Sequence, residues 1–215
     1  RAAWIGSFAR ALHGEQRRFG VTLAGGDTVV TPGPASFTVT ALGIVGKGAE
    51  LRRSGAQEGD DVYVSGTVGD AALGLRVLTG ELRVAARHAR FLAQRYHRPT
   101  PRIALGRRLA GVTRAVIDVS DGLVADLGHI CETSGVSAAI EAAALPLSPA
   151  ARAVLRAEPK LLADVLAGGD DYELVFTAPE ARRPRIRALA RALGLSLTRI
   201  GRIAGAGGRG GGRIP

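Results

Sequence analysis

Arg114-Ala115-Val116-Ile117-Asp118-Val119-Ser120-Asp121-Gly122-Leu123-Val124-Ala125-Asp126-Leu127 packs a strand, a turn and a helix into one short segment. The apolar run ending at Asp118 reads as a buried strand, and Leu123, Val124, Leu127 and Ile130 recur at helical spacing to form a core stripe. The same alternation continues outward. Upstream, Asp61 to Ser65 is a compact strand, followed by helices over 70–78 and 84–96. Arg98-Pro99-Thr100-Pro101 then interrupts the chain, because each proline biases its predecessor away from helix. Downstream, the patterns predict a strand over 136–140, short helices over 149–156 and 160–166, a strand over 171–177, a helix over 181–193 and a last strand over 196–203. Strands alternating with helices indicate an α/β or α+β sheet covered by helices. Toward the N-terminus an amphipathic helix carries Trp4, Ile5, Phe8, Leu12 and Phe19. It leads to a short strand over 21–24, and 36–45 reads as a long β-branched strand. Residues 47–59 are polar and contain Gly, without apolar periodicity, and mark a domain boundary.

The composition fits this picture: 215 residues, 46% hydrophobic and 22% charged, describe a globular chain with a sizeable core, in one large domain or two small ones. The net charge of +10 is almost entirely arginine, since only Lys47 and Lys160 are lysines. Arg83, Arg87, Arg90 and Arg95 fall at the spacing of a solvated helix face, and with 4% aromatics there is little to stack on bases. The reading is therefore no nucleic-acid partner, and a positive field suited to phosphorylated small molecules. Cys131 stands alone on an apolar helical stretch and reads as a small core hydrophobe. No run approaches the ~18 apolar residues of a membrane span, and the N-terminal helix lacks the apolar block of a signal peptide, so the cytoplasm is the expected compartment. There is no Met, so Arg1 is expected to follow a removed or missing segment. The Gly- and Arg-rich stretch 204–215 is expected to be a disordered tail.

Three acidic, glycine-flanked turns stand at the ends of predicted strands. In Gly25-Gly26-Asp27-Thr28 the glycines allow close backbone approach to a ligand, and the carboxylate offers a ligand for a hard cation. In Asp118-Val119-Ser120-Asp121-Gly122, Ser120 or Asp121 would serve as a helix N-cap, which leaves a second carboxylate unexplained. Two carboxylates beside helix N–H groups suit divalent cations bridging phosphate oxygens, with the amides receiving the anion. In Gly168-Gly169-Asp170-Asp171-Tyr172-Glu173-Leu174, acidic and phenolic side chains crowd a strand entrance. Acidic islands in a basic surround match a polyphosphate carrying Mg²⁺, the arginines meeting the remaining phosphate charge. There is no Walker Gly-x-x-x-x-Gly-Lys-Ser/Thr loop, no kinase His-Arg-Asp loop and no Gly-x-Ser-x-Gly elbow, and His13, His88, His97 and His129 have no zinc spacing.

Taken in order, these turns together with Arg53-Ser54-Gly55-Ala56, Gly59-Asp60-Asp61-Val62-Tyr63-Val64-Ser65-Gly66, Arg98-Pro99-Thr100-Pro101-Arg102 and the run from Asp118 to His129 resemble the thiamine-monophosphate kinase family. The resemblance runs from about Trp4 to Gly201. It implies an aminoimidazole-ribonucleotide-synthetase-like fold and ATP- and Mg²⁺-dependent phosphorylation of thiamine monophosphate to thiamine diphosphate. It further implies that Asp27 binds Mg²⁺ with Gly26 near the ATP phosphates, that Arg53 and Ser120 contact ATP, that Asp118 and Asp121 are metal ligands, and that Asp170 faces the thiamine substrate. No general base is implied, because the acceptor phosphate is already ionised.

The fold class so expected is α/β, in a two-domain α+β form. A C-terminal mixed sheet covered by helices, 56–203, is preceded by residues 1–55 as the remnant of an N-terminal ATP- and Mg-binding α/β domain that normally builds a homodimer. The family's N-terminal metal cluster and C-terminal aromatic contact have no counterpart in this sequence, so the chain is expected to be an incomplete form, inactive alone. Two alternatives remain at this point: another ATP-using enzyme of the same fold, such as an aminoimidazole-ribonucleotide or selenophosphate synthetase, and a basic Arg-rich binding or scaffold protein.

Overall fold

A computed structural model describes residues 2–205, and the chain divides into two compact units that meet between Ile44 and Val45. The first unit is built on α1 (Ala2–Phe19). Trp4 and Phe8, one helical turn apart, stack at 5.7 Å, and Phe37 approaches Phe8 at 5.1 Å between ring centroids. The strands expected over 21–24 and 36–45 do not form. A strand exists only where its backbone N–H and C=O groups find a neighbouring ladder, and among the described residues no strand pairs with either segment. The Gly25-Gly26-Asp27 turn therefore follows irregular chain, not a strand end.

Among the described residues, the second unit contains a five-stranded sheet and seven α-helices. In chain order these are β1 (Asp61–Ser65), α2 (Asp70–Leu78), α3 (Ala86–His97), α4 (Ile103–Leu109), β2 (Ala115–Asp118), α5 (Leu123–Ser134), β3 (Ser137–Ile140), α6 (Pro149–Ala157), α7 (Leu162–Ala167), β4 (Leu174–Ala178), α8 (Arg183–Leu193) and β5 (Leu197–Ala204). The sequence patterns placed most of these within a few residues and missed α4, which starts just beyond the Arg98–Pro101 break. Ala204, expected in the tail, ends β5, and residues 206–215 lie outside the described residues.

The strand order is β2-β4-β1-β5-β3, and every pairing is antiparallel. The sheet expected as mixed is antiparallel because strands that follow one another in sequence are not neighbours in space. β1 and β2 run the same way, but β4 lies between them and pairs with both.

Period-two alternation buries both faces. Val62, Val64 and Val175 point to one layer with Leu73 of α2, Leu92 of α3, and Leu123 and Ile130 of α5. Tyr63 and Phe176, stacked at 5.3 Å, point to the other with Leu105 and Leu109 of α4 and Ile186 of α8. Central β1 is buried along its whole length, and its one charged residue, Asp61, is matched by Arg183 at 2.6 Å. Local signals set the helix limits: Ser148 accepts the Ala151 N–H ahead of Pro149 to start α6, while Gly135 and Gly194, both in the left-handed region, end α5 and α8.

Candidate active site

β2 delivers Asp118 to the end of the sheet, and the chain turns through Val119 to Gly122 into α5. That turn is held from inside the helix. Asp126 is buried, and its Oδ2 accepts the N–H groups of Ser120, Asp121 and Gly122 at 2.9, 3.0 and 3.1 Å. Gly122 holds the cap position of α5, and Ser120 and Asp121 precede it, so neither of these two caps the helix as expected. Asp126 closes the three turn amides to an external anion, whereas the first N–H groups of the helix itself, those of Leu123, Val124 and Ala125, are not among its donors.

The Gly168–Glu173 turn lies directly against this one. Asp170 N–H donates to the Ser120 carbonyl at 2.9 Å, Tyr172 N–H to Val119 at 2.8 Å, and Val119 N–H to Glu173 at 2.8 Å. The approach demands glycine: a Cβ on Gly169 would collide with the Ser120 carbonyl, and one on Gly122 with that of Ala167. Asp170 and Tyr172 both adopt positive φ, 68° and 50°. Asp tolerates that region, but for Tyr it is strained by about 1 kcal/mol or more and must be imposed by the surroundings.

Imposition comes from the two alternate residues, which point inward. Asp171 is 1% exposed, and its carboxylate accepts the Gly69 and Ala71 N–H groups at the start of α2. Glu173, fully buried, is gripped by Arg102 at 2.6 Å, Arg95 at 3.1 Å and the Ser65 hydroxyl at 2.6 Å. Arg95 Nε also lies 3.7 Å from buried Asp70, which Ser148 and Thr67 hydrogen-bond. Two buried carboxylates, Asp70 and Glu173, thus share two guanidiniums, and a third, Asp171, is held by backbone alone. Burial pushes the Asp171 carboxyl up to about 7 against its two backbone hydrogen bonds, and raises that of Asp70 despite its hydroxyl partners.

Asp170 and Tyr172 remain on the outer side, with the Tyr172 hydroxyl 3.3 Å from Asp170. Burial first, and then the negative charges of Asp170, Asp118 and Asp121, raise the Tyr172 phenol above its ordinary pKa. Four expected site residues, Asp118, Ser120, Asp121 and Asp170, therefore meet on two interlocked turns around Tyr172. Arg53 does not join them through its backbone: its carbonyl accepts Thr133 Oγ1 at 3.1 Å, in the last turn of α5, at the other end of the helix from Asp121. Its side chain is exposed. Gly26 and Asp27 belong to the first unit, where both are exposed and Asp27 accepts the Thr28 N–H at 2.7 Å.

Sequence reasoning missed Asp126, Asp171, Arg95 and Arg102 as the frame of the site. Asp126 carried a readable signal, since it falls between Leu123 and Leu127 on the apolar stripe, where a carboxylate must be paired. Arg102 stood in a quoted motif, but its pairing, like that of Arg95, was not readable because their partner Glu173 lies more than seventy residues away.

Comparison with known proteins bears on this geometry. Residues 26–212 match the family described as AIR synthase related protein, C-terminal domain. The chain is 44% identical over 203 residues to the thiamine-monophosphate kinase of Haemophilus influenzae, covering 93% of this chain and 60% of that protein. It superposes with a TM-score of 0.71 and 47% identity on the crystal structure of thiamine-monophosphate kinase from Stenotrophomonas maltophilia K279a, over 76% of this chain and 53% of that one. A structure of AaThiL complexed with AMPPCP and TMP gives a TM-score of 0.63 at 37% identity, over 74% and 49% of the two chains. The chain thus spans about three fifths of the length of the curated relatives it matches.

Proposed function

Because the chain belongs to the AIR synthase related protein family, we propose that it carries the C-terminal part of the site of a kinase that uses ATP and Mg²⁺ to phosphorylate thiamine monophosphate to thiamine diphosphate. The observation that carries this reading is the convergence of Asp118, Asp121 and Asp170 around Tyr172 on turns whose backbones hydrogen-bond to each other. Identity to thiamine-monophosphate kinases and the AMPPCP and TMP complex of a structural relative supply its chemical identity.

The donor set fits Mg²⁺. Asp118 and Asp121 are exposed carboxylates, hard oxygen donors few in number, on backbone fixed before any ligand arrives. In the second unit, Asp118 and Asp121 would hold the ion, and Ser120 and Arg53 would meet ATP; in the first, Asp27 would offer a metal ligand and Gly26 would meet ATP phosphate. The bound ion supplies charge neutralisation on the transferring phosphoryl group. Asp170 would face the thiamine moiety. The acceptor phosphate oxygen is ionised at neutral pH, so the protein's task is orientation and not proton removal. With the amides of Ser120, Asp121 and Gly122 occupied by Asp126, phosphate charge falls to the metal, to arginine and to the first N–H groups of α5. In this reading the whole enzyme works as a cytoplasmic homodimer. Among the described residues, no helix is long and apolar enough to cross a membrane.

The test is calorimetry with Mg²⁺ and a non-hydrolysable ATP analogue. Asp118→Asn and Asp121→Asn are each expected to weaken binding by about tenfold or more, with the melting temperature unchanged because both side chains are exposed. Binding equal to that of the unsubstituted chain would remove these residues from the site.

A further inference from the structure

Arg95 falls at the spacing of Arg83, Arg87 and Arg90, all exposed on α3 or just ahead of it, yet its own side chain is 14% exposed. Close packing of two helices turns it inward. Gly74 of α2 has no side chain, and a Cβ there would collide with the Leu92 carbonyl of α3, so the two backbones lie against each other. Arg95 follows buried Leu92 by one turn of α3 and arrives beside Asp70, one turn before Gly74 at the start of α2. There it spans two buried carboxylates: Nη2 donates to Glu173 at 3.1 Å, and Nε lies 3.7 Å from Asp70.

This bridge closes a ring. Glu173 reaches the start of α2 through Arg95 and Asp70, and Asp171 reaches it directly, through the Gly69 and Ala71 N–H groups. Tyr172 is the one residue between these two anchors, and its φ of 50° is a conformation that a tyrosine does not keep unaided. With one anchor released, its backbone can rotate to negative φ and carry Asp170 out of place. We infer that Arg95 is a positioning residue of the kinase site: by tying Glu173 to Asp70 it holds Tyr172 at positive φ, and so fixes the Asp170 carboxylate for thiamine monophosphate. The inference rests on the reading above and extends it to a side chain on α3 that touches neither ligand. Arg102 does not replace Arg95, because among the described residues its ion pair is with Glu173 alone. The turn from Asp118 to Gly122 has a separate brace in Asp126, so the ring acts on the substrate side of the site more than on its metal side.

The double variant Arg95→Met with Asp70→Asn tests this, because it opens the ring without leaving a buried charge unpaired, Glu173 keeping Arg102. In isotopically labelled protein, the amide–Hα Overhauser effect and carbon shifts of Tyr172 should report a change from positive to negative φ. By calorimetry, thiamine monophosphate should bind the variant about tenfold or more weakly, and Mg²⁺ with the ATP analogue less than about twofold more weakly. A merely structural role would lower the melting temperature and move neither readout in the folded variant. Arg95→Lys keeps the charge but puts an ammonium in place of the bridging guanidinium. It should weaken thiamine monophosphate several-fold, and serves as the test if the double variant does not fold. Tyr172 still at positive φ in the double variant, or unchanged affinity for thiamine monophosphate in either folded variant, would overturn the positioning role and leave the kinase reading standing. Failure of the unsubstituted chain to bind thiamine monophosphate would overturn the substrate reading and the positioning role with it, while the Tyr172 signals, which need no ligand, would still decide whether the ring holds the turn.

Discussion

In Asp170-Asp171-Tyr172-Glu173, alternate side chains divide the labour: Asp170 and Tyr172 face the site while Asp171 and Glu173 anchor the turn from below. Glu173→Gln keeps the shape but leaves Arg95 and Arg102 without their shared counter-charge. Unpairing a buried ion cluster costs about 3 kcal/mol or more, so urea unfolding should show a loss of that order; a change within error would mean that the arginines find other partners. Asp171 makes a pH prediction. Its pKa, raised by burial to about 7, exceeds the unfolded value, so the folded protein holds this proton longer than the unfolded one. The associated stability is complete in acid and is lost as the pH rises through about 7, with a slope of up to roughly 1.4 kcal/mol per pH unit. Asp70 acts in the same direction. Urea titrations between about pH 5 and about pH 8 should therefore show a flatter profile for Asp171→Asn than for the unsubstituted chain. An unchanged slope would mean that Asp171 stays ionised in the fold.

At the scale of elements, α5 shows how one internal carboxylate organises a site. Asp126→Ala frees the N–H groups of Ser120, Asp121 and Gly122 in the turn leading into the helix and should cost about 1 to 2 kcal/mol, as lost caps do. It should also weaken Mg²⁺-dependent ATP-analogue binding, because Asp121 would lose its fixed backbone. If stability falls and binding does not, the cap is structural only. Asp61–Ser65 was readable with its exact limits because a short apolar run between turn signals needs no further information. The run from Ser36 to Val45 has stronger β-branched character and is nonetheless irregular, because strand formation depends on a neighbour, which composition does not supply. Asp118, Ser120, Asp121 and Asp170 were legible as polar residues beside glycines at strand ends. Their meeting was not, because it depends on β4 lying beside β2.

For the whole molecule, every buried hydrophobic among the described residues falls between Ala56 and Ile203, whereas Trp4, Ile5, Phe8, Val30, Phe37 and Leu42 are exposed. A protein beginning at Val45 should therefore unfold in one cooperative transition at a midpoint close to that of the full chain. A collapse of that transition would show that residues 1–44 hold the core together. The sequence by itself determined the order of helices and strands in the second unit, the glycine-bounded acidic turns and the family, because helical and strand periodicity, turn chemistry and motif order are local properties. Only the tertiary structure decided that the sheet is wholly antiparallel and that Asp171 and Glu173 face inward while Asp170 faces the site. Each of these depends on contacts between residues distant in sequence, where burial forces every charge and every backbone donor to find a partner.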